Sequence, residues 1–165
     1  MDSVVHTIVE ALGGRIPGEM IVFIISMIPV LELRGSILAV GFMDVSFLPT
    51  YIAAVIGNLL PIPFILIFIK KILEFMKSTK SFGRFAVKLE NKALSKREQI
   101  DKYGAFGLFL FVAIPLPGTG AWTGALLSVL LGMKPVKSFV CIVFGVMAAG
   151  LVMSLLSFGI IKSIF

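Results

Sequence analysis

Apolar residues along this chain gather in long stretches that polar positions interrupt at only a few places. Near the start, Val4, Val5, Ile8, Val9 and Leu12 recur at helical spacing, with Asp2 or Ser3 as a cap and Gly13-Gly14 as a stop. This pattern predicts a short helix over 3–14 that lies in a membrane interface on its apolar face. Four longer apolar stretches follow, at 20–43, 47–69, 104–133 and 135–161.

The second and fourth stretches are continuous. About 20 apolar residues cross a ~30 Å hydrocarbon core, so both are predicted to be transmembrane helices. Ser46 suits the N-cap of one and Pro135 the first turn of the other. Lys70 and Lys71 close the earlier one where a basic side chain can reach the interface.

The first and third stretches are broken. Glu32 and Arg34 interrupt one, and a run holding Pro115, Pro117, Gly118 and Gly120 interrupts the other. Each arm makes roughly 16–20 Å of helix, too short to cross alone. Two readings are open: a pair of re-entrant hairpins, or a pair of kinked spans. Two prolines and two glycines within a six-residue run end a helix rather than bend it, which favours hairpins. The two halves also echo each other. Ile28-Pro29 returns as Ile114-Pro115, and the Gly41 to Val45 turn returns between Gly132 and Val136. Each half then reads as a re-entrant hairpin plus a transmembrane helix, and the whole as an inverted repeat.

Charge adds an orientation. Residues 70–102 hold ten basic and four acidic side chains, which is the whole of the chain's net +6. The positive-inside bias puts this segment in the cytoplasm. Hairpins and spans both leave twelve basic residues inside, so charge does not choose between them. Phe82, Phe85, Leu89, Ala93, Ile100 and Tyr103 fall on one helical face, and Ser95 to Glu98 forms a capping box. Residues 70–102 therefore read as basic amphipathic helices resting on an anionic leaflet.

Composition narrows the class. With 58% hydrophobic residues in 165 and a mean hydropathy of +1.07, the chain holds more apolar surface than a soluble domain of this length can bury. It reads as a single all-α integral membrane domain over 1–165. Cys141 and His6 are the only residues of their kinds. That excludes an internal disulfide, a thiolate metal site and a Ser-His-Asp triad, and no phosphate loop is present. Neither an enzyme nor a cofactor is expected, and no catalytic or metal-binding residue is nominated. Asp2 in place of a basic leader argues against a signal peptide.

The candidate chemistry lies at the breaks. An ionisable group at membrane depth costs at least ~2.5–3.5 kcal/mol and usually marks a pathway or a pair. Arg34 offers a planar fork for phosphate or carboxylate, and a buried carboxylate such as Glu32 can exchange protons near neutrality. A purely structural ion pair is the plainer alternative. The second break offers backbone N–H groups of a half-helix, the Thr119 hydroxyl and the Trp122 indole, with Pro115, Pro117, Gly118 and Gly120 shaping the turn. Asn58 on the first span either donates to the first break or fixes helix packing.

Pro29 to Gly35, followed by Pro115 to Gly124, resembles the small multidrug export protein family of prokaryotic membrane proteins, over about residues 20–160. That family is in turn similar to the DedA superfamily, whose members carry two facing re-entrant hairpins and include carriers of undecaprenyl phosphate and other lipids. The resemblance implies a transporter in a prokaryotic cell membrane, with its substrate site between two hairpin tips at Glu32, Arg34 and the loop from Pro115 to Gly124. Proteins of the wider superfamily typically place arginine in that loop, and here it has no charge. The expected substrate is a small amphipathic compound, moved with proton coupling; a polyprenyl phosphate-like lipid and a non-transporting scaffold are the alternatives. The partners implied are the bilayer, protons and a second copy of the chain, and no nucleic acid.

Overall fold

The computed structural model describes all residues except 1, 41–42, 79–82, 96–102, 117 and 165. Among the described residues the chain is helical, without strands. The helices are α1 (Asp2–Leu12), α2 (Gly18–Met27), α3 (Glu32–Ala39), α4 (Phe47–Leu59), α5 (Ile62–Ser78), α6 (Gly83–Leu94), α7 (Gly104–Ala113), α8 (Ala121–Leu130) and α9 (Pro135–Ile164). Two runs are long and apolar enough to cross a membrane, Phe47–Ser78 and Pro135–Leu155. By contrast α2, α7 and α8 have ten residues each and α3 has eight, about 12–15 Å of helix, half of a hydrocarbon core.

The helix ends follow from local chemistry. Both α2 and α7 stop at an isoleucine before proline, with Ile28 at φ −77°, ψ 125° and Ile114 at φ −80°, ψ 119°. A following proline pushes its neighbour out of the helical region, so the two ends share one cause. Pro135 opens α9, where its missing N–H costs nothing. Ser46 holds the N-cap position of α4, but its side chain makes no capping bond.

The apolar stretch that the sequence closes at Lys70 is divided instead. Pro61 cannot donate to the carbonyl four residues back, so α4 ends at Leu59 and helix resumes at Ile62. α5 then continues past Lys70 and Lys71, both exposed on its surface, as far as Ser78. The 82–103 apolar face lies largely outside the described residues and side chains, as does the capping box at Ser95 to Glu98.

The chain divides into two compact units, Met1–Pro61 with Val146–Phe165, and Ile62–Gly145. In the first, α2 packs on α3 and both pack on α4. α1 turns Val5 and Val9 into a core with Ile21, Ile25, Leu31 and Ala39, while Val4 stays exposed. In the second, α8 packs on α5, α6 and α7 around Ile65, Leu66, Leu108, Val112, Ala125 and Leu127. A salt bridge from Lys77 to Glu90 joins α5 to α6. Outward-facing Phe64, Ile67, Phe75, Phe144 and Leu155 are exposed. So much large apolar side chain on the outside fits lipid as the surrounding solvent.

Candidate functional site

The first break is a tight turn, exposed at Pro29 and Val30 and buried from Leu31 to Leu33. Leu31 and Glu32 both donate backbone N–H groups to the Ile28 carbonyl, at 3.1 and 2.8 Å, and Gly35 N–H returns to the Leu31 carbonyl at 2.8 Å. This folding-over sets Glu32 at φ +48°, the one positive φ outside glycine among the described residues. A side chain in that left-handed region costs roughly 1–2 kcal/mol, and such strain gathers at functional sites. Glu32 is also only 7% exposed. Two residues on, Arg34 is half-buried, and the charges of the pair act on each other. The sequence marks Glu32 by its charge; nothing in it signals the left-handed backbone, because glycine is the usual residue there.

Below the turn the two arms are clasped by side chains. Ser26 of α2 donates to Ser36 of α3 at 2.6 Å, and Ser36 donates to the Leu33 carbonyl at 2.8 Å. Both serines are fully buried. Two small hydroxyls in apolar arms look unremarkable in sequence; their near-equal distance from the break is the signal that could have paired them.

α4 presents Thr50, Ala54, Gly57 and Asn58 as its buried stripe. At Gly57 a Cβ would overlap the Phe23 carbonyl oxygen and lie 3.1 Å from the Ser26 Cβ, so α4 meets α2 backbone to backbone. Asn58, the next residue, is 2% exposed. Tyr51 faces α9, donating its hydroxyl to the Met147 carbonyl at 3.0 Å. Gly150 lies under its ring, where a Cβ would fall 2.8 Å from Tyr51 Cε2 and 3.2 Å from Leu33 Cδ1. Glu32, Arg34 and Asn58 thus belong to one unit, which also holds Ser26, Ser36 and Tyr51.

The second break belongs to the other unit. Gly118 at φ +81° and Gly120 at φ +138° supply turns open to glycine alone. Thr119 Oγ1 lies 2.8 Å from both the Ile114 and Leu116 carbonyl oxygens and accepts from the Leu116 N–H at 3.3 Å. Its hydroxyl proton therefore pins the loop to itself. Pro115 and Trp122 are half-buried and Gly118 is exposed, while Pro117 lies outside the described residues. Trp122 opens the first turn of α8, whose Gly124 N–H returns to the Gly120 carbonyl at 2.8 Å. Among the described residues no group of three acidic, His or Cys side chains could hold a metal.

Two apolar spans and several shorter apolar helices make the described residues an all-helical structure compatible with a membrane protein. The chain belongs to the family described as "Putative small multi-drug export protein", which matches residues 32–152, from Glu32 through both breaks and into α9. No curated protein and no solved structure matches the chain.

Proposed function

We propose that the protein is a transporter that exports small amphipathic compounds across a prokaryotic cell membrane, with Glu32 exchanging a proton and Arg34 holding an anionic group of the cargo. The observation that carries this reading is Glu32 itself. A carboxylate at membrane depth, on the order of 3 kcal/mol unfavourable, sits on a backbone that adds roughly 1–2 kcal/mol more. Arg34 offsets part of the first cost and none of the second. A purely structural ion pair needs no strained attachment point, so the strain favours a working carboxylate over a scaffold.

In this reading α2–α3 and α7–α8 are re-entrant hairpins. Their lengths of eight to ten residues and their Ile-Pro ends support that, and an inverted repeat follows from it. The protein carries cargo rather than transforming it, needs no cofactor, and works with the bilayer, a proton and a second copy of itself. Arg34 also supports one alternative cargo, the phosphate head of a polyprenyl lipid in the manner of the DedA superfamily, since its fork suits phosphate.

Proteoliposomes with an imposed pH gradient test the reading. Amphipathic dye should move only in vesicles that hold the protein and only with the gradient, and excess soluble polyprenyl phosphate analogue should leave the rate unchanged. Inhibition by the analogue would favour the lipid cargo, and no flux at all would leave a scaffold.

A further inference from the structure

Two oxygens on the buried stripe of α4 have no hydrogen-bond partner among the described residues: Asn58 Oδ1, in a side chain 2% exposed, and Thr50 Oγ1, in one 1% exposed. An unsatisfied polar atom inside an apolar helix packing costs on the order of 1–3 kcal/mol, so Asn58 Oδ1 calls for a donor or a cation. The surroundings say which. Gly57, one residue back, brings this turn of α4 against Phe23 and Ser26 in the last two turns of α2. There the hydrogen bonds run one way, from Ser26 to Ser36 and on to the Leu33 carbonyl, which consumes the proton of Ser26 and leaves its oxygen to accept. The final carbonyls of α2 form the negative end of a helix dipole at the same place.

Asn58 Oδ1, Ser26 Oγ and the final carbonyls of α2 are the acceptors at this point, and the amide N–H groups of Asn58 are the donors beside them. We propose that the C-terminal end of α2 facing Asn58 is a binding site for a small monovalent cation of sodium size, with Asn58 Oδ1 and Ser26 Oγ among its ligands. The backbone contact of α2 with α4 at Gly57 suits an ion better than a bulky ammonium head. Half-helix ends with neighbouring oxygen side chains hold coupling ions in secondary carriers. The proposal deepens the transport reading and rests on it for the role of the ion, but not for its binding. Thr50 lies eight residues, about 12 Å, from Asn58 along α4, so it ligates no ion held there and serves as the control.

The test is binding of Na+ itself by purified protein in detergent, read as the melting midpoint in NaCl against choline chloride at equal ionic strength. A ligand that binds the native state alone raises the midpoint in a saturable way. Wild type and Thr50→Val should show that rise. Asn58→Leu should lose it, and Asn58→Asp, which keeps an oxygen at the site, should retain it. Should Asn58→Leu not fold, Ser26→Ala takes its place and should weaken the Na+ response. A rise that survives Asn58→Leu and Ser26→Ala overturns the site, and so does equal melting of wild type in both salts, which leaves water on the Asn58 oxygen. Dye flux in proteoliposomes is recorded separately. Sodium binding without flux defeats the transport reading and leaves the site, whereas flux with no sodium response does the reverse.

Discussion

Replacing Glu32 by glycine and by glutamine separates the strained backbone from the charge. Both substitutions remove the carboxylate's charge, so the coulombic loss to the half-buried Arg34 is the same in each and cancels in the difference. What remains is the residue at φ +48°. Glutamine still carries a Cβ in the left-handed region, at roughly 1–2 kcal/mol, and glycine does not. Glycine gives back about 0.5–1 kcal/mol through the extra freedom of its unfolded chain. Glu32→Gly should therefore be the more stable of the two by about 0.5–1 kcal/mol, a two- to fivefold difference in unfolding constant. Reversible unfolding in mixed micelles, followed by circular dichroism, resolves that gap if the pair is measured side by side. Glu32→Gly no more stable than Glu32→Gln would mean that the left-handed turn carries no strain, and the argument that Glu32 is kept at a cost would lose its second half.

Three further outcomes follow from the packing. Gly57→Ala should destabilise by about 1–2 kcal/mol, since overlap with the Phe23 carbonyl costs more than alanine's helical preference returns; a midpoint at or above wild type would contradict the backbone contact. Thr119→Val should loosen the second break by about 0.5–1.5 kcal/mol while Thr119→Ser keeps its pinning bonds, and hydrogen exchange at Leu116 reads the difference; equal protection in both would show that the hydroxyl does not hold the loop. In a Cys141→Ser background, Ile16→Cys and Phe165→Cys should label from outside and Lys134→Cys from the cytoplasm if α7–α8 is a hairpin; label reaching Lys134→Cys from outside makes the broken stretches spans.

Much of the architecture was legible because a few residues leave the backbone little choice. Proline after Ile28 and Ile114 ends two helices, Pro135 begins a third, and the apolar runs from Phe47 and Pro135 are long enough to cross a bilayer. The rest depends on tertiary contacts that pattern does not carry. The helix runs on through Lys70 and Lys71 because an exposed lysine is no obstacle to it. Val5 and Val9 of α1 meet Ile21 and Ile25 because the turn after Gly14 brings α2 alongside. At the site, charge singled out Glu32 and Arg34, whereas the left-handed turn and the Ser26–Ser36 clasp exist only once the arms have folded over. The hydrogen bonds that Thr119 makes within its own loop depend likewise on a geometry that two positive-φ glycines create.

The central claim is that the Glu32 carboxylate couples cargo movement to protons. The most direct measurement is the initial rate of dye export from proteoliposomes with and without an inward proton gradient, for wild type and Glu32→Gln at matched incorporation and fold. The account predicts that the gradient accelerates the wild type and leaves Glu32→Gln at its ungradiented rate, with Arg34 still able to hold cargo. Equal acceleration of both proteins would contradict it and make Glu32 a structural partner of Arg34.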